Sequence, residues 1–353
     1  MSKMRAVRLF APGDLRCVET DKPVIEDKND AIIKVKACGV CGSDLMRVMV
    51  KGAYRHPITI GHEFSGVVEN IGTNNNGFNT GDRVTVVPLI PCGVCDYCKI
   101  GQQVLCDNYD YYGSRVEGAM AEYIKVKVDN LIKIPFNVDF ETAAMTDPVA
   151  VALHAVRKCK LEPGQKAAVF GMGAIGLLAV QWLKYSGCTE IFAIDIFDEK
   201  LELAEKFGAD VCINAKRENP VEIINNKTNK RGVDVSIELA GSKITQIQCI
   251  EAVRKLGRVV ICGISYDDLV FPNAVLSKIL RGEIEFTGSW NSLISPLPVD
   301  EWRAAINYTS KGKILCNPVI SHRYRLEDCA KAFDMMFYKK EVFNKVMFKP
   351  EDL

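Results

Sequence analysis

KAAVFGMGAIGLLAVQWLKYSGCTEIFAID, residues 166–195, decides the fold of this chain. Lys166 to Phe170 is a compact apolar strand that runs into Gly171, Gly173 and Gly176 in G-x-G-x-x-G register. Ala174 and Ile175 open the helix that follows, and a second strand ends at Asp195, nineteen residues beyond Gly176. A bare G-x-G-x-x-G is common; strand, glycine turn, helix, strand and terminal acid in this order are specific. The glycines let the backbone approach a pyrophosphate, and the helix N-terminus supplies N–H donors and a positive dipole end. Asp195 can accept hydrogen bonds from both adenosine ribose hydroxyls and repels a 2′-phosphate, so the pattern predicts NAD rather than NADP. Lys200, five residues on, reads equally as a ribose contact or an exposed helix lysine.

Downstream, the segments DVCINA, DVSIELAG (234–241) and GRVVICGI (257–264) repeat the strand–helix alternation, which predicts a doubly wound parallel sheet over residues 150–289. Upstream the pattern changes. MRAVRLF, AIIKVKA, FSGVVENIG and RVTVVPL are short alternating strands broken by Pro12-Gly13, Pro23 and an Asn/Gly loop, the profile of a β-barrel-like domain. VDFETAAMTDPVAVALHAV (138–156) has helical spacing and closes it, and KVMFKP near the C-terminus reads as a last strand returning to it. The expected organisation is residues 1–149, completed by 290–353, around a nucleotide domain at 150–289. A length of 353 residues suits two domains.

Composition narrows the function. A net charge of +1 gives no reason to expect nucleic acid or an anionic membrane surface. The N-terminus, MSKMRAVRLFAPGDLRC, has no signal-peptide apolar region, and runs such as AIGLLAVQWL are too short to span a bilayer. The expected location is the cytoplasm, where fourteen cysteines point to metal ligands and small buried hydrophobes rather than disulfides.

Two groups of metal-type ligands stand out. In CGVCGSDLMRVMVKGAYRHPITIGHEFSG (38–66), Cys41 is followed by Ser43 and Asp44 and, twenty-one residues later, by His62-Glu63. Thiolate, imidazole and carboxylate form a zinc ligand set, and three protein ligands leave one position open. In CGVCDYCKIGQQVLC, Cys92, Cys95, Cys98 and Cys106 can wrap an ion with four thiolates, a closed site of the structural kind. An iron–sulfur cluster is the alternative there. Asp147, ahead of Pro148, reads on its own as a helix-capping acid.

Taken together, Cys41-Gly-Ser-Asp, GHEFSG, the four-cysteine lobe, GDRV and GMGAIG resemble the zinc-dependent medium-chain alcohol and polyol dehydrogenases. Softer identities, among them VPLIPCGVC, YYGSRVEGAMAEY and KILRGEIEFTGSWN, resemble the galactitol-phosphate dehydrogenases within that family. The resemblance implies a GroES-like β-barrel catalytic domain beside a Rossmann domain, with two zinc ions per chain. Cys41 and His62 would bind the catalytic zinc, with Glu63 as third ligand or close neighbour. Asp147 stands where polyol enzymes carry Glu and would ligate the catalytic zinc directly or through water, and Asp44 would hold the second His62 nitrogen. Ser43 would relay the substrate proton, its competing reading being a helix cap.

The expected reaction is zinc-assisted, NAD-dependent oxidation of a secondary hydroxyl of galactitol 1-phosphate to a ketohexose phosphate. Arg47, Lys51, Arg55 and His56, near the ligands in sequence, are the candidate phosphate contacts. Alternatives are a sorbitol or L-iditol dehydrogenase, a threonine or butanediol dehydrogenase, or a non-catalytic nucleotide-binding relative. Relatives of this kind pair as homodimers or homotetramers through an edge strand, for which 257–273 offers apolar material.

Overall fold

The computed structural model describes residues 2–295 and 300–351. The chain divides into two compact units, Met1–Asp147 with Leu293–Leu353, and Pro148–Ser292.

The first unit is built on strands. Asp30–Gly39 is its centre, pairing antiparallel with Glu63–Ile71, with Tyr123–Lys127 and with the near-terminal strand Lys345–Phe348. Lys3–Ala11 forms a separate three-stranded sheet with Asp14–Asp21 and Ile58–Thr59. The segment Met120–Glu122 joins the two sheets, since Val7 donates to Met120 and Val35 to Glu122. Alternation gives each strand an inner face, so Val7, Leu9, Ile33, Val35, Ile58, Phe64 and Val84 merge into one core. The helix Cys329–Phe337 covers it with Ala332, Phe333 and Met336. Residues 138–156 form two helices, Phe140–Ala144 and Thr146–Lys158, rather than one.

The second unit is a six-stranded parallel sheet in the order Val211–Asn214, Glu190–Asp195, Lys166–Phe170, Val233–Glu238, Val253–Ile261, Glu285–Gly288. A helix follows each strand except the last, as parallel crossovers require. The central strands are buried on both faces, which explains their unbroken apolar runs. The segment 257–273, expected to pair as an edge, supplies no edge strand. Its strand residues lie in Val253–Ile261, which is hydrogen-bonded on both sides; the free edge on that side is Glu285–Gly288.

The glycine turn shows two different demands. Gly171 has φ +100°, a left-handed conformation, and a Cβ there would lie 2.7 Å from the Ala240 amide. A Cβ on Gly176 would lie 1.9 Å from the Gly171 carbonyl oxygen, so helix and turn touch only through glycine. Gly173 has φ −70° and open space around the Cβ position. Gly176→Ala should therefore lower the thermal midpoint by about 5 °C or more, the scale of core overpacking. Gly173→Ala should lower it by only about 2 °C, the cost of a poorer N-cap. Thermal unfolding followed by circular dichroism checks the contrast; equal shifts would refute it.

Candidate active site

The pairing register assembles the first ligand group. Gly39 faces Glu63 across the ladder, so Cys41, two residues past Gly39, lies beside His62, one before Glu63. The ligand atoms of Cys41, His62 and Glu63 come within 4.8 Å of one another, and His62 and Glu63 are buried. Cys41 is the N-cap of the short helix Gly42–Met46; the Asp44 amide donates to the Cys41 carbonyl at 3.0 Å while the Asp44 carboxylate accepts from the Cys41 amide at 3.2 Å. Ser43 is therefore not the cap, and its partly exposed hydroxyl makes no capping bond.

Buried Asp44 lies 3.5 Å from His62 Nδ1, short of a hydrogen bond but within strong electrostatic reach, and it also pairs with Arg47. Burial pushes the Asp44 carboxyl up, yet His62 and Arg47 outweigh burial and hold it below the usual carboxylate value. Glu63 Oε2 accepts from Lys345 Nζ at 2.5 Å, and Lys345 also donates to the Val40 carbonyl at 2.9 Å. Burial alone would lower the Lys345 pKa; Glu63 and Cys41 reverse this and raise it, so the ammonium stays charged. Lys345 was not anticipated from sequence. Its one signal was a lysine opening the apolar run Val346–Phe348.

Asp147 stands in the first turn of Thr146–Lys158 and is not one of the three mutually close donors. It is nevertheless buried, and its Oδ1 has no protein partner. Burial pushes its carboxyl up to about 7, against the pull of His62. An orphaned carboxylate oxygen within electrostatic reach of His62 and Glu63 adds a further oxygen to a donor set that suits a divalent cation.

Cys92, Cys95, Cys98 and Cys106 also converge within 4.8 Å. The Cys92–Cys98 and Cys95–Cys106 sulfurs stand 4.0 and 3.9 Å apart. A tetrahedron with bonds of about 2.3 Å has edges of about 3.8 Å, so the thiols are spaced for zinc and far from disulfide distance. The amides of Val94 and Cys95 pull the Cys92 thiol down to about 6, toward the thiolate a metal needs. Burial pushes Cys98 up to about 12, so in this cluster the full four-thiolate state calls for a cation.

In the nucleotide unit Asp195 serves the turn as well as the strand end. Its Oδ2 accepts from the Met172 amide at 2.7 Å, and its Oδ1 from Ile196 at 2.7 Å and Phe197 at 3.1 Å. This clasp fixes the glycine loop ahead of the helix Ala174–Tyr185, whose first residues are Ala174 and Ile175 with Gly173 as N-cap. The Lys200 ammonium lies 5.3 Å from the centre of the Phe197 ring, beside Asp195 in sequence.

The cations expected to hold a phosphate have other partners. Arg47 pairs with Asp44 and Arg55 with Glu117, while His56 Nε2 accepts from the Ala53 amide. Lys51 also has an interaction partner. Unforeseen instead is an aromatic wall: Tyr111 meets the His62 ring at 5.4 Å between centroids, edge to face.

Comparison with known proteins matches this architecture. The model of the alcohol dehydrogenase GroES-like domain fits residues 27–136, and that of the zinc-binding dehydrogenases fits residues 174–311. Galactitol 1-phosphate 5-dehydrogenase of Escherichia coli (strain K12) is 35% identical over 93% of this chain and 95% of its own. The crystal structure of galactitol-1-phosphate dehydrogenase from Escherichia coli has a TM-score of 0.93 at 34% identity, covering 98% of this chain and 100% of that one. D-arabitol-phosphate dehydrogenase of Enterococcus avium is 33% identical over 100% of both chains. A zinc-binding dehydrogenase from Sinorhizobium meliloti 1021, solved bound to NADP, has a TM-score of 0.91 at 31% identity over 99% of this chain and 100% of that one. The chain belongs to the zinc-type medium-chain alcohol and polyol dehydrogenases, a GroES-like domain with a Rossmann-like domain, and is an oxidoreductase.

Proposed function

We propose that the protein oxidises a secondary hydroxyl of a polyol phosphate, galactitol 1-phosphate foremost, to a ketohexose phosphate with NAD. The observation that carries this reading is likeness to two polyol-phosphate dehydrogenases over more than nine-tenths of the chain. The Cys41–His62–Glu63 cluster supports it. Cys41, His62 and Glu63, with Asp147 adjacent, would hold a catalytic zinc, and the four thiols of Cys92, Cys95, Cys98 and Cys106 a structural one. The catalytic ion supplies a Lewis acid that makes the substrate hydroxyl more acidic, and NAD supplies the hydride acceptor.

The chain's own residues do the rest. Asp44 orients His62, and Lys345 fixes Glu63 while balancing its charge. Ser43, two residues from Cys41 and partly exposed, takes the hydroxyl proton and passes it outward. Tyr111 lies along His62 and keeps water from that side. Gly173 leaves room for a pyrophosphate at the amides of Ala174 and Ile175, Gly171 and Gly176 shape the turn, and the Asp195 carboxylate meets the adenosine ribose, beside Lys200. The free cysteines suit a reducing compartment, and we place the protein in the cytoplasm. Among the described residues no helix is long and apolar enough to cross a membrane.

Initial rates of reduced-cofactor formation test the reading. Galactitol 1-phosphate with NAD should exceed galactitol, sorbitol, butanediol and threonine by at least about tenfold in kcat/KM, about 1.4 kcal/mol of discrimination. NADP, the cofactor seen in one relative, should be poorer than NAD, and Asp195→Ala should narrow that gap. Equal rates with unphosphorylated polyols would replace the reading with a sorbitol-type dehydrogenase.

Elemental analysis should find two zinc ions per chain. Cys98→Ser should remove one and lower the thermal midpoint, whereas Cys41→Ser should abolish turnover with little change in it. One ion after zinc supplementation would contradict one of the two assignments, and none would contradict both.

We further propose a homodimer or homotetramer pairing through the edge strand Glu285–Gly288, where Phe286 is 43% exposed and nearby Trp290 53%. Light scattering at micromolar concentration should give at least twice the chain mass, and a monomer would end this assignment.

A further inference from the structure

The aromatic wall beside His62 ends in a cation. Tyr109 meets Tyr111 edge to face at 6.4 Å, and the Arg115 guanidinium lies 4.5 Å from the centre of the Tyr109 ring. Its other neighbour is Tyr54, 4.3 Å away. Arg115 is thus held by two rings in a row that leads through Tyr109 and Tyr111 to the imidazole of His62.

The loop carrying it is fastened to the His62 segment. Ala119 donates to the Gly61 carbonyl at 2.9 Å and Gly118 to Thr59 at 2.8 Å. A Cβ on Gly113 would lie 2.5 Å from the Gly61 oxygen, so the two backbones are in direct contact. Gly61 immediately precedes His62, and Gly113 is two residues before Arg115. The guanidinium is therefore anchored near the ligand cluster.

A guanidinium stays protonated, yet among the described residues no carboxylate pairs with Arg115, and its Nε is buried with no protein acceptor. The nearby arginines differ: Arg8 and Arg55 both bind Glu117, and Arg47 binds Asp44. The two rings lie within 4.5 Å of the guanidinium carbon, and the terminal N–H groups, which no described carboxylate engages, are left to bind an anion in a two-pronged grip. A phosphate at the far end of an extended polyol is such an anion.

We propose that Arg115 is the specificity-determining residue that grips the phosphate of the substrate, a role that rests on the polyol-phosphate reading above. The test measures kcat and KM for galactitol 1-phosphate and for galactitol in wild type, Arg115→Gln and Arg115→Lys. In Arg115→Gln the KM for the phosphate ester should rise by about tenfold to a hundredfold, the worth of a charge-assisted hydrogen bond, with kcat within about threefold. The ratio of kcat/KM for phosphorylated over free galactitol should fall by the same factor, and Arg115→Lys should regain part of it. Inorganic phosphate should inhibit wild type competitively and the Gln variant far less.

A wild type that prefers the phosphate ester alongside a Gln variant with unchanged ratio would overturn the role of Arg115 and leave the substrate reading standing. Equal losses on both substrates would also overturn it, marking Arg115 as a structural link between rings. A wild type with no preference would overturn both. Should Arg115→Gln fail to fold, the Lys variant decides: it must lose part of the ratio, and an unchanged ratio refutes the proposal.

Discussion

A carboxylate and an ammonium, both buried, meet at 2.5 Å between Glu63 and Lys345. Stripping two such ions of water costs several kcal/mol each, and the pair persists only because each charge supplies what the other lost. Leaving one alone would cost about 3–5 kcal/mol. The pair also ties three distant stretches together: the strand ending at Gly39, the strand opening at Glu63, and the strand opening at Lys345. Gly39 is part of the fit, since a Cβ there would lie 2.5 Å from Glu63 Oε2. The juxtaposition of Cys41 and His62 depends on this register, because a slip of one residue would turn their side chains to opposite faces.

The two ligand groups are held by different physics. Around Cys41 and His62 the sheet and core position the donors, so packing carries the geometry. Around the four-cysteine lobe only short helices, Asp96–Lys99 and Gln103–Leu105, provide regular structure, and several of its apolar side chains, including Val94 and Ile100, are exposed. Such a segment buries too little to hold itself, and a four-thiolate ion would take the place of a core.

The nucleotide unit shows how few residues a binding turn needs. Gly171 supplies a left-handed backbone, Gly176 a contact no side chain permits, and Asp195 three accepted backbone hydrogen bonds. The acid that would meet the ribose thus also shapes the loop that would meet the phosphates.

The sequence by itself determined what depends on local pattern. Strand–glycine–helix order gave the parallel sheet, and cysteine spacing gave the four-cysteine group, because period and spacing act within a few residues. Only the tertiary structure decided which charges meet. Arg47, near the ligands in sequence, binds Asp44, while Lys345, over 280 residues from Glu63, is its partner. Arg115 lies more than fifty residues from His62 in the chain yet joins the same aromatic row. The apolar run at 257–261 belongs to an interior strand, and Glu285–Gly288 became the edge. Side-chain partners and sheet edges are set by long-range pairing, and no local periodicity encodes them.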